Sequence, residues 1–86
     1  PNLIYRNGTF SFDDKIPELR NDDIVDISLI IYDDVPSTQQ NTLMNRACDY
    51  VNQLLGTNYQ AFPGNKLIAE IRGIPCISEF NFRMKK

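Results

Sequence analysis

Ile24-Val25-Asp26-Ile27-Ser28-Leu29-Ile30-Ile31-Tyr32 is the stretch whose reading decides the fold. On an extended chain, Val25, Ile27, Leu29 and Ile31 fall on one side, and Ile24, Asp26, Ser28, Ile30 and Tyr32 on the other. One wholly apolar face and one mixed face mark a central strand, packed on a core on one side and partly wet on the other. Asp33-Asp34 and Pro36 end it.

Upstream, Leu3-Ile4-Tyr5-Arg6-Asn7-Gly8-Thr9-Phe10-Ser11-Phe12 predicts a β-hairpin. Asn-Gly supplies the two positive-φ residues of a type I′ turn, whose twist matches the flanking strands. The pairing pattern sets Leu3, Tyr5, Phe10 and Phe12 on one apolar, aromatic face. Residues 13–23 read as a polar loop tacked down by Ile16 and Leu19, long enough to be functional.

Downstream, Ser37-Thr38-Gln39-Gln40 has the form of a capping box. It predicts a helix over about 38–55, stopped by Gly56. Leu43, Met44, Ala47, Cys48, Val51, Leu54 and Leu55 form its apolar stripe. Residues 57–64, with Tyr59, Phe62 and Pro63-Gly64, read as a loop. Strands are predicted over 66–72 and 76–83, turned by Gly73-Ile74-Pro75, with Phe80 and Phe82 facing inward. The expected fold is α+β: a five-stranded, mainly antiparallel sheet in the order β-β-β-α-β-β, with one helix on one face. The other face, with Ile24, Ile30, Tyr32, Ile68 and Ile77, is either a partner surface or covered by the hairpin.

With 86 residues, 42% of them hydrophobic, the chain is expected to be a single compact domain spanning 1–86, near the lower limit for a core without staples. It has no apolar run of the roughly 18 residues a membrane span needs. Pro1–Tyr5 lacks the basic end and apolar stretch of a signal peptide, so a cytoplasmic location and no membrane partner are expected. Cys48 and Cys76 belong to no C-x-x-C pair and read as two buried thiols in a reducing cytosol rather than as a lone bridge. The chain has no His, the commonest general base and metal ligand near neutral pH. Pro1, a residue type that serves as catalytic base in tautomerases, lacks the strand-helix-strand context of that chemistry. Neither catalytic residues, a cofactor nor a metal is expected.

Charge is unevenly placed. Residues 1–49 hold nine acids and four bases, whereas residues 50–86 hold two acids and five bases. The acids Asp13, Asp14, Asp22, Asp23, Asp26, Asp33 and Asp34 gather at predicted strand ends, where Asp also serves as a turn former. They are the candidate partner-binding residues. Lys66, Arg72, Arg83, Lys85 and Lys86 gather on the predicted last hairpin and are the candidate nucleic-acid contacts. Opposed signs of this kind bear on steering and partners rather than on fold.

The expected function is that of a small non-enzymatic interaction protein: a regulator, adaptor or inhibitor docking a partner protein through its acidic loops and open sheet face. Small acidic proteins of phages and mobile elements act in this way on nucleic-acid-handling enzymes, with carboxylates standing where phosphates would sit. The alternative is a nucleic-acid-binding module using the basic C-terminal hairpin, against which the sequence pI of about 4.8 weighs. Assembly into a homo-oligomer through edge strands is a further expectation.

Overall fold

The computed structural model describes residues 1–13, 18–67 and 78–86, with the backbone alone at 65–67. Its strands are β1 (Asn2–Arg6), β2 (Thr9–Phe12), β3 (Ile24–Ile31), β4 (Gln60–Leu67) and β5 (Ser78–Lys85), with the helix α1 (Gln40–Leu55) between β3 and β4. Short 3-10 turns cover Leu19–Asn21 and Ser37–Gln39. The fold is α+β, with all five strands in one sheet of order β2-β1-β3-β5-β4.

The hairpin forms in the expected register, Leu3 opposite Phe12 and Arg6 opposite Thr9. Asn7 and Gly8 take positive φ of 52° and 73°, as a type I′ turn requires. The hairpin does not cover the sheet: it extends it.

The sheet is mixed rather than mainly antiparallel, and the strands do not lie in chain order. β1 pairs with β3 in parallel, and β5 lies antiparallel between β3 and β4. The physical reason lies in the connections. β2 ends beside the start of β1, at the end of the sheet where β3 begins. The connection after β2 therefore crosses β1 and runs back about five residues along the sheet, roughly 20 Å in all, and sets β3 parallel to β1. β3 and β4 both oppose β5, so they run the same way, and α1 is the crossover that parallel strands need.

Element boundaries also differ from expectation: the last strand runs on to Lys85 rather than 83, and the larger differences lie at β4 and α1. β4 begins at Gln60, so Phe62-Pro63-Gly64 is strand, not loop. Proline is tolerated there because β4 is the edge of the described sheet, and the register shifts between Pro63 and Lys66. The capping box does not close. Gln39 N–H bonds Pro36 C=O in a 3-10 turn, and neither Pro36 nor Gln39 caps through its side chain. That turn delays the α-helix to Gln40, which packs inward at 4% exposure instead of reaching back to Ser37. The expected stop holds: Gly56 sits at φ 67°, and the N–H groups of Gly56 and Thr57 bond Asn52 C=O.

The core lies between α1 and one face of the sheet. Leu43, Met44, Ala47, Cys48 and Val51 meet Leu3, Tyr5, Val25, Ile27, Leu29, Ile31, Phe80, Phe82 and Met84. Each large side chain buried there contributes roughly 1.5–3 kcal/mol relative to exposure. Leu54, on the flank of the stripe in the last turn, is 53% exposed and lies outside this core.

The predicted strand over 66–72, the turn at 73–75, and Ile68, Cys76 and Ile77 fall mainly or wholly outside the described residues, as do Asp14 and Ile16.

Candidate functional site

Alternation along β3 sends Ile24, Asp26, Ser28 and Ile30 away from the helix. Register fixes their neighbours on β5 as Lys85, Arg83, Asn81 and Glu79. Opposite Arg83 on the next strand stands Phe62, and beside β3 stand Asn2 and Ile4 of β1. Among the described residues no element packs on this face. Ile24 is 55% and Phe62 41% exposed.

A groove of about 630 Å³ opens on this face, lined by Asp26, Ser28, Phe62, Pro63, Gly64, Asn81, Arg83 and Lys85. The register shift between Pro63 and Lys66 lets β4 bend beside it. Gly64 lies close on β5: a Cβ there would stand 2.5 Å from the Asn81 carbonyl oxygen. Any larger residue would push β4 off its neighbour.

The charges of the groove pair with what lies next to them. Arg83 grips Asp26 with two donors, Nε to Oδ1 at 2.7 Å and one terminal nitrogen to Oδ2 at 3.2 Å. The hydrogen bond from Arg83 holds the Asp26 carboxyl below its ordinary pKa, and the same bond pushes the Arg83 guanidinium up. The Lys85 ammonium stands 5.1 Å from the Phe62 ring centroid. On the far side of the face, the Arg6 guanidinium lies 3.8 Å from the Tyr32 ring centroid. The groove thus presents one ion pair, two neutral hydrogen-bonding side chains, a ring and an ammonium.

The acids are not one patch. Asp22 and Asp23 stand before β3 and Asp33 and Asp34 after it, roughly 30 Å apart along an extended strand. Most have structural work. Asp33 accepts the N–H groups of Asn7 at 2.7 Å and Gly8 at 2.8 Å, clamping the hairpin turn. Asp13 accepts from the Asn2 amide at 3.2 Å. The Tyr59 hydroxyl stands 2.6 Å from the carbonyls of both Leu19 and Asp22, and the Asp23 carbonyl takes the Lys86 N–H at 3.0 Å. Asp34 is exposed, and Asp26 belongs to the groove.

The bases divide likewise. Arg83 and Lys85 line the groove. Lys86 turns away, its ammonium donating to the Arg20 carbonyl and standing 5.5 Å from the Tyr59 ring centroid. The side chain of Lys66 and all of Arg72 lie outside the description. Antiparallel pairing of β3 with β5 brings the Lys85-Lys86 end beside Asp22-Asp23, so the charge asymmetry of the linear chain is partly neutralised at that end.

Two titratable groups of the core, Cys48 and Tyr59, are shifted. Burial raises the Cys48 thiol, whose Sγ donates to the Tyr59 carbonyl at 3.3 Å. Burial, then the nearby charges of Asp22 and Asp23, raises the Tyr59 phenol. Among the described residues no group of three or more His, Cys, Asp or Glu could hold a metal ion, and no helix is long and apolar enough to cross a membrane.

Sequence reading missed Ser28, Phe62 and Asn81 as groove residues. The signal for Phe62 was present, since Pro63-Gly64 is a strand bulge signature as well as a loop signature. No known family, curated protein or solved structure matches this chain.

Proposed function

We propose that this chain is a small non-enzymatic interaction protein, a regulator, adaptor or inhibitor, that docks a partner protein on the open face of its sheet. One observation carries the reading: exposed Phe62 and Ile24 flank the Asp26–Arg83 pair on a face that no described element covers. Apolar anchors around an internally paired charge suit a protein surface, which offers both signs and apolar area, more than a polyanion. The acids at the two ends of β3 then act in steering, toward the basic surface of a nucleic-acid-handling enzyme. A reducing cytoplasm suits the buried thiol of Cys48.

The test compares capture of a partner by the parent chain and by a double variant, Ile24→Asp with Phe62→Asp. Both positions are exposed, so unfolding temperature should hold while capture is lost. A variant that keeps the same partner at the same affinity would sink the reading. Replacing Asp22, Asp23, Asp33 and Asp34 by Asn should slow association and flatten its salt dependence; unchanged salt sensitivity removes the steering role.

A second reading is supported by the Lys85–Phe62 contact beside Arg83, because a sheet carrying exposed aromatics and cations can stack single-stranded bases. Under that reading, a labelled single-stranded oligonucleotide binds at low salt, and binding is lost when Arg83, Lys85 and Lys86 become Ala. No retention of the oligonucleotide at low salt ends it.

A further inference from the structure

The described sheet has two edges, and they differ. β4 carries Pro63 and a register shift, both of which obstruct further pairing. β2 carries neither: Thr9-Phe10-Ser11-Phe12 has no charge, no proline and no bulge.

The direction of its backbone groups follows from β1. The carbonyls of Tyr5 and Pro1 accept from Tyr32 and Ser28, so the odd residues of β1 serve β3. Ile4 and Arg6 therefore serve β2, and Ser11 and Thr9 point their N–H and C=O groups inward to them. Phe10 and Phe12 must point theirs outward, where the described sheet has no further strand. Their side chains lie on the helix face, half-buried, with ring centroids 5.6 and 6.2 Å from that of Tyr50. The edge thus offers four backbone groups and a partly covered aromatic cluster.

This arrangement is complementary to itself. If two β2 strands meet antiparallel about a two-fold axis through Ser11, Phe10 of one copy falls opposite Phe12 of the other. All four outward groups of each strand are then bonded in alternating register. The same step lays Phe10 against the partner's Phe12 on the helix face, covering what each copy leaves half-exposed. We propose that the outer edge of β2 is a self-association surface, at which a second copy of this chain adds its β2 to join two five-stranded sheets into one. This surface is separate from the groove on the open face, so each reading can fail alone.

The test is sedimentation equilibrium of the full chain from micromolar to near-millimolar concentration, with three variants in a Cys76→Ser background. The expected result is a doubling of mass with concentration. Ser11→Cys should give a disulfide-linked dimer under mild oxidation, because a non-hydrogen-bonded pair on the axis brings the two Cβ atoms within bridging range. Thr9→Cys, off the axis, should not. Ser11→Lys, on the exposed side, should keep its circular dichroism and melting temperature yet sediment as a monomer. A chain that stays monomeric throughout, cross-linking at Thr9→Cys equal to that at Ser11→Cys, or a dimer that survives Ser11→Lys would each overturn the proposal. A monomer that instead pairs with a foreign extended peptide along β2 would also overturn it.

Discussion

Replacing Asn52 by Ala should cost far more than a change in a half-buried helical residue ordinarily does. The Asn52 side chain spans the turn out of α1. Its Oδ1 accepts the Tyr59 N–H at 2.7 Å and the Thr57 hydroxyl at 3.0 Å, and its Nδ2 donates to the Tyr59 carbonyl at 2.9 Å. Tyr59 is only 4% exposed, so its two main-chain groups find little water when the amide goes. Three bonds at about 1 kcal/mol each, less the roughly 0.5 kcal/mol by which Ala is the better helix former, leave a loss of about 2.5 kcal/mol. In a domain of this size that corresponds to a fall in melting temperature of roughly 10–20 °C. Urea unfolding followed by circular dichroism gives the free energy directly. An unchanged slope against denaturant shows that the native state has lost stability rather than compactness. Asn52→Asp separates the two halves of the clamp. It keeps the acceptor but sets a carboxylate against the Tyr59 carbonyl, so the loss should match that of Ala at neutral pH and shrink in acid as the new carboxyl takes up a proton. A loss within about 0.5 kcal/mol for Asn52→Ala, the range of ordinary surface changes, would refute the clamp.

Other outcomes follow from the same geometry. Gly64→Ala should destabilise by roughly 1–3 kcal/mol, because its Cβ would meet the Asn81 carbonyl oxygen at 2.5 Å; a stability equal to the parent in urea would show that β4 can shift at no cost. Asp33→Ala removes the acceptor of two turn N–H groups, which are exposed and can turn to water, so a modest loss of about 1 kcal/mol is expected, with hydrogen exchange at Asn7 and Gly8 accelerated. Asp26 has a lowered native pKa, so its pairing contributes above the ordinary aspartate value of 3.8 and fades as pH falls through the lower native value. Arg83→Met should therefore flatten the acid limb of a stability–pH curve, and an unaltered limb would count against the pair. Tyr59 titrates in the opposite sense: its raised pKa means that its contribution is whole below the ordinary phenol value of 10.0 and is lost as pH rises through the native one. Tyr59→Phe should make the alkaline limb shallower while exposing the Leu19–Asn21 turn to proteolysis.

Much of this architecture was written locally. Asn7-Gly8 set the hairpin register, the spacing from Leu43 to Val51 set the buried helix face, and Gly56 set its end. The alternation of β3 correctly divided core from open face. What failed was non-local. Nothing in the residues of β1 says that its outer side will take β3 in parallel, because backbone pairing is indifferent to sequence and is decided by which connection is short. Pro63-Gly64 was misread because one dipeptide serves both a loop and a bulged edge strand. Gln40 was misread because a single 3-10 turn displaced the helix start by a few residues. As for the site, the residues of the open face were legible from alternation, but their meeting was not. Asp26 and Arg83 are 57 positions apart, and only the β3–β5 register makes them neighbours. The acids stood out in the chain by their number, yet the fold distributes them to opposite ends of β3.

The position of β5 bears on how this chain comes off the ribosome. It is the central partner of β3 and β4, yet it follows every other described strand in the chain. Until it emerges, β3 has one side unpaired, β4 has no neighbour in the described sheet, and the stripe of α1 lacks Phe80, Phe82 and Met84 to rest on. From the emergence of β3 until that of β5, the nascent chain therefore carries an apolar strand with an open edge, the condition under which chains recruit holding chaperones or aggregate. Vectorial synthesis postpones the joining of β4 and the closing of the core to one late event: the insertion of a single strand between two that are already waiting.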